Sequence, residues 1–244
     1  MKEMAYLKLV YPSGWEKIRE LLASTKIFIP DYSPVGPQSL LDLTDLNLGS
    51  AMILDSTPFD PPDIPIFLER GVFDLGLVGQ NWISERSADV VEVTTFSLLF
   101  DSFDPVSLVL AASEESGFQS LADLPSGALI ATGYPNMARK YLAEKGRGDI
   151  QVIETFGGSG NGDENGASYL LKAGIVSAVI RLTEDNLPIF RRKLLVIDII
   201  AEQKMTLAVN RQAFLDRRKG PAIRRFGRMI RDCFRLMLLS EGRK

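Results

Sequence analysis

Residues 127–146 read GALIATGYPNMARKYLAEKG, and this stretch decides the fold. Ala128–Thr132 predicts a short buried strand, followed by a tight turn. Pro135 fits the first position of a helix, where its missing N–H costs nothing, and Gly146 fits the residue after the helix end. The N–H groups of such a helix N-terminus favour an anion such as phosphate. An ordinary strand–helix unit that binds no ligand gives the same pattern, so the geometry leaves both interpretations open.

The same stretch is similar to a motif of the ATP phosphoribosyltransferase family, the first enzyme of histidine biosynthesis, which reads IAT-x-YPN-x-x-R-x-Y-x-x-x-KG. The matching residues are Ile130, Ala131, Thr132, Tyr134, Pro135, Asn136, Arg139, Tyr141, Lys145 and Gly146. A second stretch, DIPIFLERGVFDLGLVG at residues 63–79, also resembles the family. Its matches are Asp63, Ile64, Pro65, Gly71, Asp74, Leu75, Gly76, Val78 and Gly79. The chain resembles the short-form catalytic subunit of this family.

The resemblance implies an α/β fold of two lobes, of the periplasmic-binding-protein type (type II), with a ligand cleft between the lobes. We assign residues 1–105 and 188–244 to a discontinuous lobe I and residues 106–187 to lobe II. An internal similarity supports two lobes of related build, because LERGVFDLGLVG and LLKAGIVSAVIRL both predict a helix, a glycine and a strand. This similarity aligns Gly71 with Gly174.

The amino-acid composition limits which kinds of catalysis and which cellular compartments are possible. The 244 residues include no histidine, which excludes imidazole catalysis and histidine-ligated metal sites. Cys233 is the only cysteine, so no intrachain disulfide can form, which fits a reducing compartment. The first twelve residues mix charges early and lack the apolar core of a secretory signal. We therefore expect a cytoplasmic protein.

The resemblance is weakest at the phosphate-binding positions. The family wraps phosphoribosyl pyrophosphate with a loop that reads roughly A-D-A-I-V-D-x-x-x-[ST]-G-x-T-L, and here the aligned stretch is VSAVIRLTEDNL at residues 176–187. Ser177 and Arg181 stand in place of two aspartates, and two carboxylates occupy the space of the glycine turn. Carboxylates close to a phosphate weaken its binding. Arg181 offers a new anion contact instead.

Two other segments differ in the same way. The Lys-Gly-Arg-like turn after the first strand keeps only Gly14, and the Lys-Asp pair after the strand at residues 74–79 is Gln80-Asn81, which we expect to lie in a loop. The glycine-rich stretch at residues 157–166, GGSGNGDENG, can wrap an anion with backbone N–H groups. It is equally typical of an ordinary surface loop.

These observations and the resemblance together define a set of candidate contacts for a nucleotide or another anionic ligand. The set is Gly14, Thr132, Asn136, Arg139, Gly157, Ser159, Arg181 and Thr183. The sequence assigns no catalytic residue and no protein metal ligand. The resemblance implies Mg²⁺ as a companion of phosphoribosyl pyrophosphate if the transferase activity is retained.

The segment from about Pro221 to Leu239 predicts an amphipathic helix with an apolar stripe and an arginine-rich face. Residues 211–244 contain 11 Lys/Arg against 3 Asp/Glu, although the whole chain has a net charge of −3. Such a helix can bind nucleic acid or an anionic membrane, but packing on its own domain or on an acidic partner is favoured here. We expect no nucleic acid and no membrane as partners.

The implied function is transfer of phosphoribosyl from phosphoribosyl pyrophosphate to N1 of ATP, or a closely derived reaction. The altered phosphate positions keep an alternative open: a catalytically degenerate or repurposed small-molecule-binding paralogue of the same fold. Such a paralogue would be a pseudo-enzyme subunit, a sensor or an enzyme with a different substrate. Short forms of the family need a regulatory partner, so we expect a homo-oligomer or a hetero-oligomer with a regulatory or paralogous subunit.

Overall fold

A computed structural model describes residues 5–13, 16–24, 41–42, 52–97, 106–155, 166–184 and 194–240. The chain divides into two compact units. Unit 1 contains Met1–Phe103 and Lys204–Lys244, and unit 2 contains Asp104–Gln203. Each unit has its own mixed β-sheet with helices packed on it, so the predicted α/β class is confirmed.

Unit 1 is built on a six-stranded sheet with the order β2-β3-β1-β4-β11-β5. The strands are β1 (Ala5–Pro12), β2 (Leu41–Asp42), β3 (Met52–Phe59), β4 (Leu75–Gly79), β5 (Val90–Phe96) and β11 (Met205–Asn210). Strand β1 is parallel to β3 and β4, whereas β11 is antiparallel to β4 and β5. The carboxyl ends of β1, β3 and β4 therefore meet at one edge of the sheet.

Five α-helices belong to the described part of unit 1: α1 (Glu16–Ser24), α2 (Ile64–Glu69), α3 (Gln80–Arg86), α6 (Arg211–Leu215) and α7 (Lys219–Ser240). Helix α7 confirms the predicted C-terminal helix. It packs on α1, β1 and β5 through buried apolar residues, and the rings of Phe96 and Phe234 lie 5.2 Å apart between centroids. Its Arg224, Arg228, Arg231 and Arg235 side chains are exposed.

Unit 2 is built on a five-stranded sheet with the order β10-β6-β9-β7-β8. The strands are β6 (Val106–Ser113), β7 (Leu129–Thr132), β8 (Gln151–Glu154), β9 (Ala178–Glu184) and β10 (Leu194–Gln203), and the helices are α4 (Pro135–Glu144) and α5 (Ala167–Lys172). Strand β7 is parallel to β8 and β9, so the carboxyl ends of these three strands point toward one edge of the sheet.

The place of β10 corrects the lobe assignment. We predicted that residues 188–244 return to lobe I, but β10 pairs antiparallel with β6 along its whole length and belongs to unit 2. The chain therefore passes back from unit 2 to unit 1 after Gln203. It passes from unit 1 to unit 2 after Phe103, which lies within two residues of the predicted boundary at residue 105. Strand partners far apart in sequence decide this point, and the local pattern of β10 is compatible with either sheet.

The two helix–glycine–strand corners have the backbone that the internal similarity predicts. Gly71 has φ +70° and Gly174 has φ +68°, conformations that favour glycine. The prediction for the segment after Gly79 is wrong, because helix α3 begins at Gln80, where we expected a loop. Across the described residues, no helix is both long and apolar enough to cross a membrane.

Candidate functional site

The strand–turn–helix unit predicted at residues 127–146 forms as expected. Strand β7 ends at Thr132, Pro135 occupies the first turn of α4, and Gly146 has φ +70° immediately after the helix end. The Thr132 hydroxyl accepts a hydrogen bond from the Tyr134 N–H at 3.0 Å, which closes the turn. Ala138 and Leu142 bury the inner face of α4. The helix N-terminus therefore opens at the carboxyl edge of the unit 2 sheet.

The predicted contact residues of this strand–turn–helix unit differ in their exposure to solvent. Thr132 is fully buried, so its hydroxyl shapes the turn, and a direct contact with a ligand stays a prediction. Asn136 and Arg139 are exposed on α4, where Arg139 Nη1 lies 3.4 Å from Asn136 Oδ1. A cation and an amide are thereby presented together beside a helix N-terminus, an arrangement suited to an anionic group.

The other end of α4 holds a cluster that sequence reasoning missed. The Tyr141 hydroxyl donates to Asp198 Oδ2 at 2.7 Å, and Lys145 Nζ lies 3.2 Å from the same oxygen. Burial, followed by the contact with Asp198, raises the pKa of Tyr141 above its ordinary value. Burial alone would raise the pKa of Asp198, but hydrogen bonds from Tyr141 and Lys145 outweigh it and hold that pKa below its usual range. The cluster fastens α4 to β10.

Arg181 is the fourth of the seven residues of β9, half-buried on the side of the sheet that carries α5. Its Nη1 lies 3.5 Å from Ser168 Oγ in α5, and its Nε donates to the Leu182 carbonyl at 3.3 Å. Burial lowers the pKa of Arg181, with Tyr134 acting in the opposite direction.

Thr183 is also half-buried and follows Arg181 by two residues on β9. Strand β9 lies beside β7, with Ile180 opposite Thr132, so Arg181 and Thr183 extend past the end of β7. Neighbouring strands are about 4.8 Å apart, which brings the ends of β7 and β9 to one edge of the sheet. The register places the Thr132 side chain on the face of Ile180 and those of Arg181 and Thr183 on the other face of the sheet. Gly133 and Tyr134 separate β7 from α4. Gly14, Gly157 and Ser159 lie outside the described residues.

Ser177 lies away from this edge. Its N–H donates to the Leu129 carbonyl at 2.8 Å, before β9 begins. Four residues of strand separate it from Arg181, about 13 Å. Of the two positions where the family carries aspartate, only that of Arg181 therefore lies at the carboxyl edge.

A protein-held Mg²⁺ would need a cluster of oxygen ligands at this edge. Magnesium prefers oxygen ligands in octahedral geometry, with at least one carboxylate. Within the described part of the chain, no group of three or more His, Cys, Asp or Glu could hold a metal ion. Glu154, at the end of β8, lies two strands from Arg181, about 10 Å across the sheet. Strand β9 carries Arg181 in its middle and ends at Glu184, opposite Val106 of β6.

Asp74, a motif residue of unit 1, lies immediately before β4. Asp74 Oδ2 accepts the Lys8 N–H at 3.0 Å, and Lys219 Nζ lies 2.7 Å from Asp74 Oδ1. At the carboxyl edge of the same sheet, the Ser13 hydroxyl donates to Asp60 at 3.4 Å, and Gln80, which follows β4, donates its amide to Glu92 of β5 at 2.7 Å. Asp74 is therefore part of the packing of α7, and Asp60 is an acidic group at the edge that follows β1 and β3.

The fold and these positions define a class of protein: two α/β lobes of the periplasmic-binding-protein type, with polar residues gathered at the carboxyl edge of a mostly parallel sheet. Residues 60–232 match the family model of ATP phosphoribosyltransferase. The chain belongs to the ATP phosphoribosyltransferase family.

Two relatives named ATP phosphoribosyltransferase match the chain at similar identity. The protein of Chlorobium chlorochromatii is 35% identical over 150 residues, which cover 62% of this chain and 47% of that protein. The protein of Desulforudis audaxviator is 34% identical over 154 residues, which cover 63% of this chain and 50% of that protein. The matched part of the chain thus spans about half the length of these relatives.

Solved structures agree on the fold. A chain of the ATP phosphoribosyl transferase (HisG:HisZ) complex from Thermotoga maritima superposes with a TM-score of 0.68 and 21% identity, covering 94% of this chain and 98% of that chain. The periplasmic aliphatic sulphonate binding protein SsuA from Escherichia coli superposes with a TM-score of 0.60 and 16% identity, covering 98% and 76%. Both likenesses concern the fold alone.

Proposed function

We propose that this protein transfers the phosphoribosyl group of phosphoribosyl pyrophosphate to N1 of ATP, the first step of histidine biosynthesis. The observation that carries the proposal is the family match over residues 60–232, which includes the α4 unit and its exposed Asn136 and Arg139. The cytoplasmic location and ATP binding are parts of the same proposal.

In the proposed reaction the adenine N1 lone pair attacks C1 of the ribose. A bond forms between N1 and C1 while the bond from C1 to the diphosphate oxygen breaks, and pyrophosphate leaves with the bonding electron pair. The ring nitrogen carries no proton to remove, so no strong protein base is required. The absence of histidine from the chain is therefore compatible with the chemistry. Catalysis comes from positioning and from stabilising the leaving charge.

The residues of unit 2 have roles that suit this chemistry. Asn136 and Arg139 would bind a phosphate beside the N-terminus of α4, while Thr132 fixes the turn that aims this helix. Arg181 and Thr183 would bind phosphate oxygens beside β9. Magnesium accompanies such diphosphates in water, but the residues that the structure describes include no acidic cluster that could hold the ion. No step of the proposal is therefore routed through one.

A partner subunit belongs to the proposal. The Thermotoga maritima chain with a similar fold comes from a HisG:HisZ complex, and the C-terminal helix of this protein presents exposed arginines. We include a hetero-oligomer with a paralogous regulatory subunit, or a homo-oligomer, as the assembly in which the activity is measured.

The test is turnover by the purified protein, alone and with a paralogous subunit, in the presence of ATP, phosphoribosyl pyrophosphate and MgCl₂. Mass spectrometry should detect ATP that has gained one phosphoribosyl group. One pyrophosphate should be released for each molecule of this adduct. Arg139→Gln should raise the KM for phosphoribosyl pyrophosphate about tenfold, because it removes one charge-assisted contact. Lys140→Gln, at the exposed neighbouring position, is the matched control and should leave KM within about twofold.

Each outcome decides the proposal. Adduct formation that depends on Arg139 supports it. Binding of phosphoribosyl pyrophosphate without any adduct, alone and with the partner, contradicts it and favours the repurposed binding protein. Adduct formation with equal KM for Arg139→Gln and Lys140→Gln supports the reaction but removes Arg139 from the site.

A further inference from the structure

Strand β10 carries a carboxylate that lies outside the sequence motifs and contacts the far end of helix α4. Asp198 Oδ2 accepts a hydrogen bond from the Tyr141 hydroxyl at 2.7 Å, and Lys145 Nζ lies 3.2 Å from the same oxygen. We infer that Asp198 is a positioning residue for the phosphate contact proposed at the N-terminus of α4. It acts through Tyr141 and Lys145. The phosphate contact rests on the proposed function, whereas the contact between Asp198 and α4 does not.

One row of residues across the unit 2 sheet connects Asp198 with the turn that begins α4. Backbone pairing places Asp198 of β10 opposite Leu110 of β6. The same row continues through Ile180 of β9 to Thr132 of β7. Side chains directly opposite one another lie on the same face, so all four point to one side of the sheet. Thr132 and Asp198 are thus the two ends of the row, three strand spacings or about 14 Å apart.

Helix α4 is fixed at both ends of this row by polar contacts. At its start the Thr132 hydroxyl accepts the Tyr134 N–H at 3.0 Å, and toward its other end Tyr141 reaches Asp198. The two middle residues of the row are apolar and buried, so they contribute packing that has no preferred direction. The two polar contacts therefore determine how α4 lies on the sheet and where its N-terminus points.

The Tyr141 hydroxyl makes the stronger of the two contacts with Asp198. The Tyr141 side chain is buried, and burial, followed by the contact with Asp198, raises its pKa, so the hydroxyl stays protonated and donates. A hydrogen bond to a charged acceptor contributes more than one between neutral groups. The Lys145 side chain is about half exposed, so solvent weakens its ion pair.

The first part of the experiment is a calorimetric titration of phosphoribosyl pyrophosphate with MgCl₂ into the whole protein and its variants. Asp198→Ala removes both the acceptor and the charge and should weaken binding about fivefold. Tyr141→Phe should weaken binding to a similar extent, and the double variant should bind no worse than Asp198→Ala, because both changes remove one contact. Asp198→Asn keeps an oxygen that accepts from Tyr141, so the loss should be only about twofold.

Hydrogen–deuterium exchange shows whether the effect runs through α4. The amides of residues 138–146 should exchange about fivefold faster in Asp198→Ala than in the wild-type protein. The amides of α5 should not change, because α5 packs on Val109 and Val179, on the opposite face of the sheet. Asp89→Ala, which removes an exposed carboxylate paired with Arg211 in unit 1, is the matched control. It should change neither the affinity nor the exchange of α4.

Turnover gives a readout that a purely structural role would not move. Asp198→Ala should raise the KM for phosphoribosyl pyrophosphate about fivefold and leave kcat within about twofold. A variant that merely folds less completely would instead lower the amount of active enzyme, and with it the apparent kcat, at unchanged KM.

The outcomes separate this inference from the proposed function. Weaker binding in Asp198→Ala together with faster exchange in α4 supports the inference, and the lack of any ATP adduct in the same protein would contradict the proposed function alone. Turnover with an unchanged KM in Asp198→Ala overturns the inference and leaves the proposed function intact. Unchanged exchange in α4, faster exchange with unchanged affinity, or no binding of phosphoribosyl pyrophosphate by the wild-type protein also overturns the inference.

Discussion

The corner around Gly71 in unit 1 and the corner around Gly174 in unit 2 share a backbone and differ in chemistry. In both, the glycine N–H bonds to a carbonyl three residues back, and the next N–H bonds to one five residues back. In both, the strand is then reached through an N–H that bonds to the neighbouring parallel strand, from Asp74 to Lys8 and from Ser177 to Leu129. The glycine and the backbone hydrogen bonds are therefore common to both corners. The side chain that follows, Asp74 in unit 1 and Ser177 in unit 2, determines what each corner binds.

The side chains show how the two units diverge. Asp74 is buried and binds both the Lys8 N–H and Lys219 of α7, which ties the C-terminal helix to the sheet. Ser177 takes the equivalent place in unit 2. A charged side chain appears instead four residues later, at Arg181 in the middle of β9. The corner of unit 1 therefore has a structural role, and the binding role proposed for unit 2 does not involve its corner.

The largest expected effect comes from removing Asp74. Asp74→Ala leaves the Lys8 N–H and the half-buried Lys219 without their acceptor and should lower the free energy of unfolding by about 2 kcal/mol. Ser177→Ala should change it by less than about 0.5 kcal/mol. Urea unfolding followed by circular dichroism gives both values. Equal losses for the two variants would refute the contrast between the corners.

The two glycines should respond alike. An alanine at φ near +70° is strained, and each of Gly71→Ala and Gly174→Ala should cost about 1 kcal/mol. The new Cβ at Gly71 would lie 3.6 Å from Asn210 Nδ2, an ordinary van der Waals contact, and the one at Gly174 would meet nothing within 4 Å, so neither variant adds a clash to the strain. Thermal unfolding measures both. An alanine that stabilises either corner would show that the shared backbone is not what holds it.

A smaller effect depends on pH. The pKa of Asp198 is lowered in the folded state, so its contribution to stability is present above the unfolded value near 3.9 and is lost as pH falls through the folded value. Asp198→Asn should lower the Tm by about 2 °C at pH 7, after allowing for solvent screening, and this difference should shrink as the pH falls below about 3.9. Asp89→Asn, in the exposed pair with Arg211 of unit 1, is the weaker counterpart. A Tm difference for Asp198→Asn that grows as the pH falls would contradict this account.

Local signals predicted the elements that local chemistry controls. Pro135 and Gly146 mark the ends of α4, Gly71 and Gly174 close their helices, and the apolar stripe of α7 is buried. The sheet of β10 could not be predicted in this way, because its partner β6 lies about 90 residues earlier in the chain. Helix α3 was missed because Gly79 precedes it without a side-chain cap.

The candidate site was predictable in part. The residues gathered at the ends of β7 and β9 follow from the parallel strands that the motif implies. The buried state of Thr132 did not, because a threonine in a turn can face either the ligand or the backbone. The contacts of Arg181 with Ser168 and of Lys219 with Asp74 join residues far apart in sequence, so no local pattern reveals them.

The most direct measurement is an isothermal titration of phosphoribosyl pyrophosphate into the whole protein, alone and with ATP. The account predicts a dissociation constant at or below about 100 μM, because Arg139 and Arg181 place two cations in unit 2 that can bind phosphate oxygens. A folded protein that gives no heat, alone and together with a paralogous subunit, would contradict the claim that unit 2 carries a phosphate site.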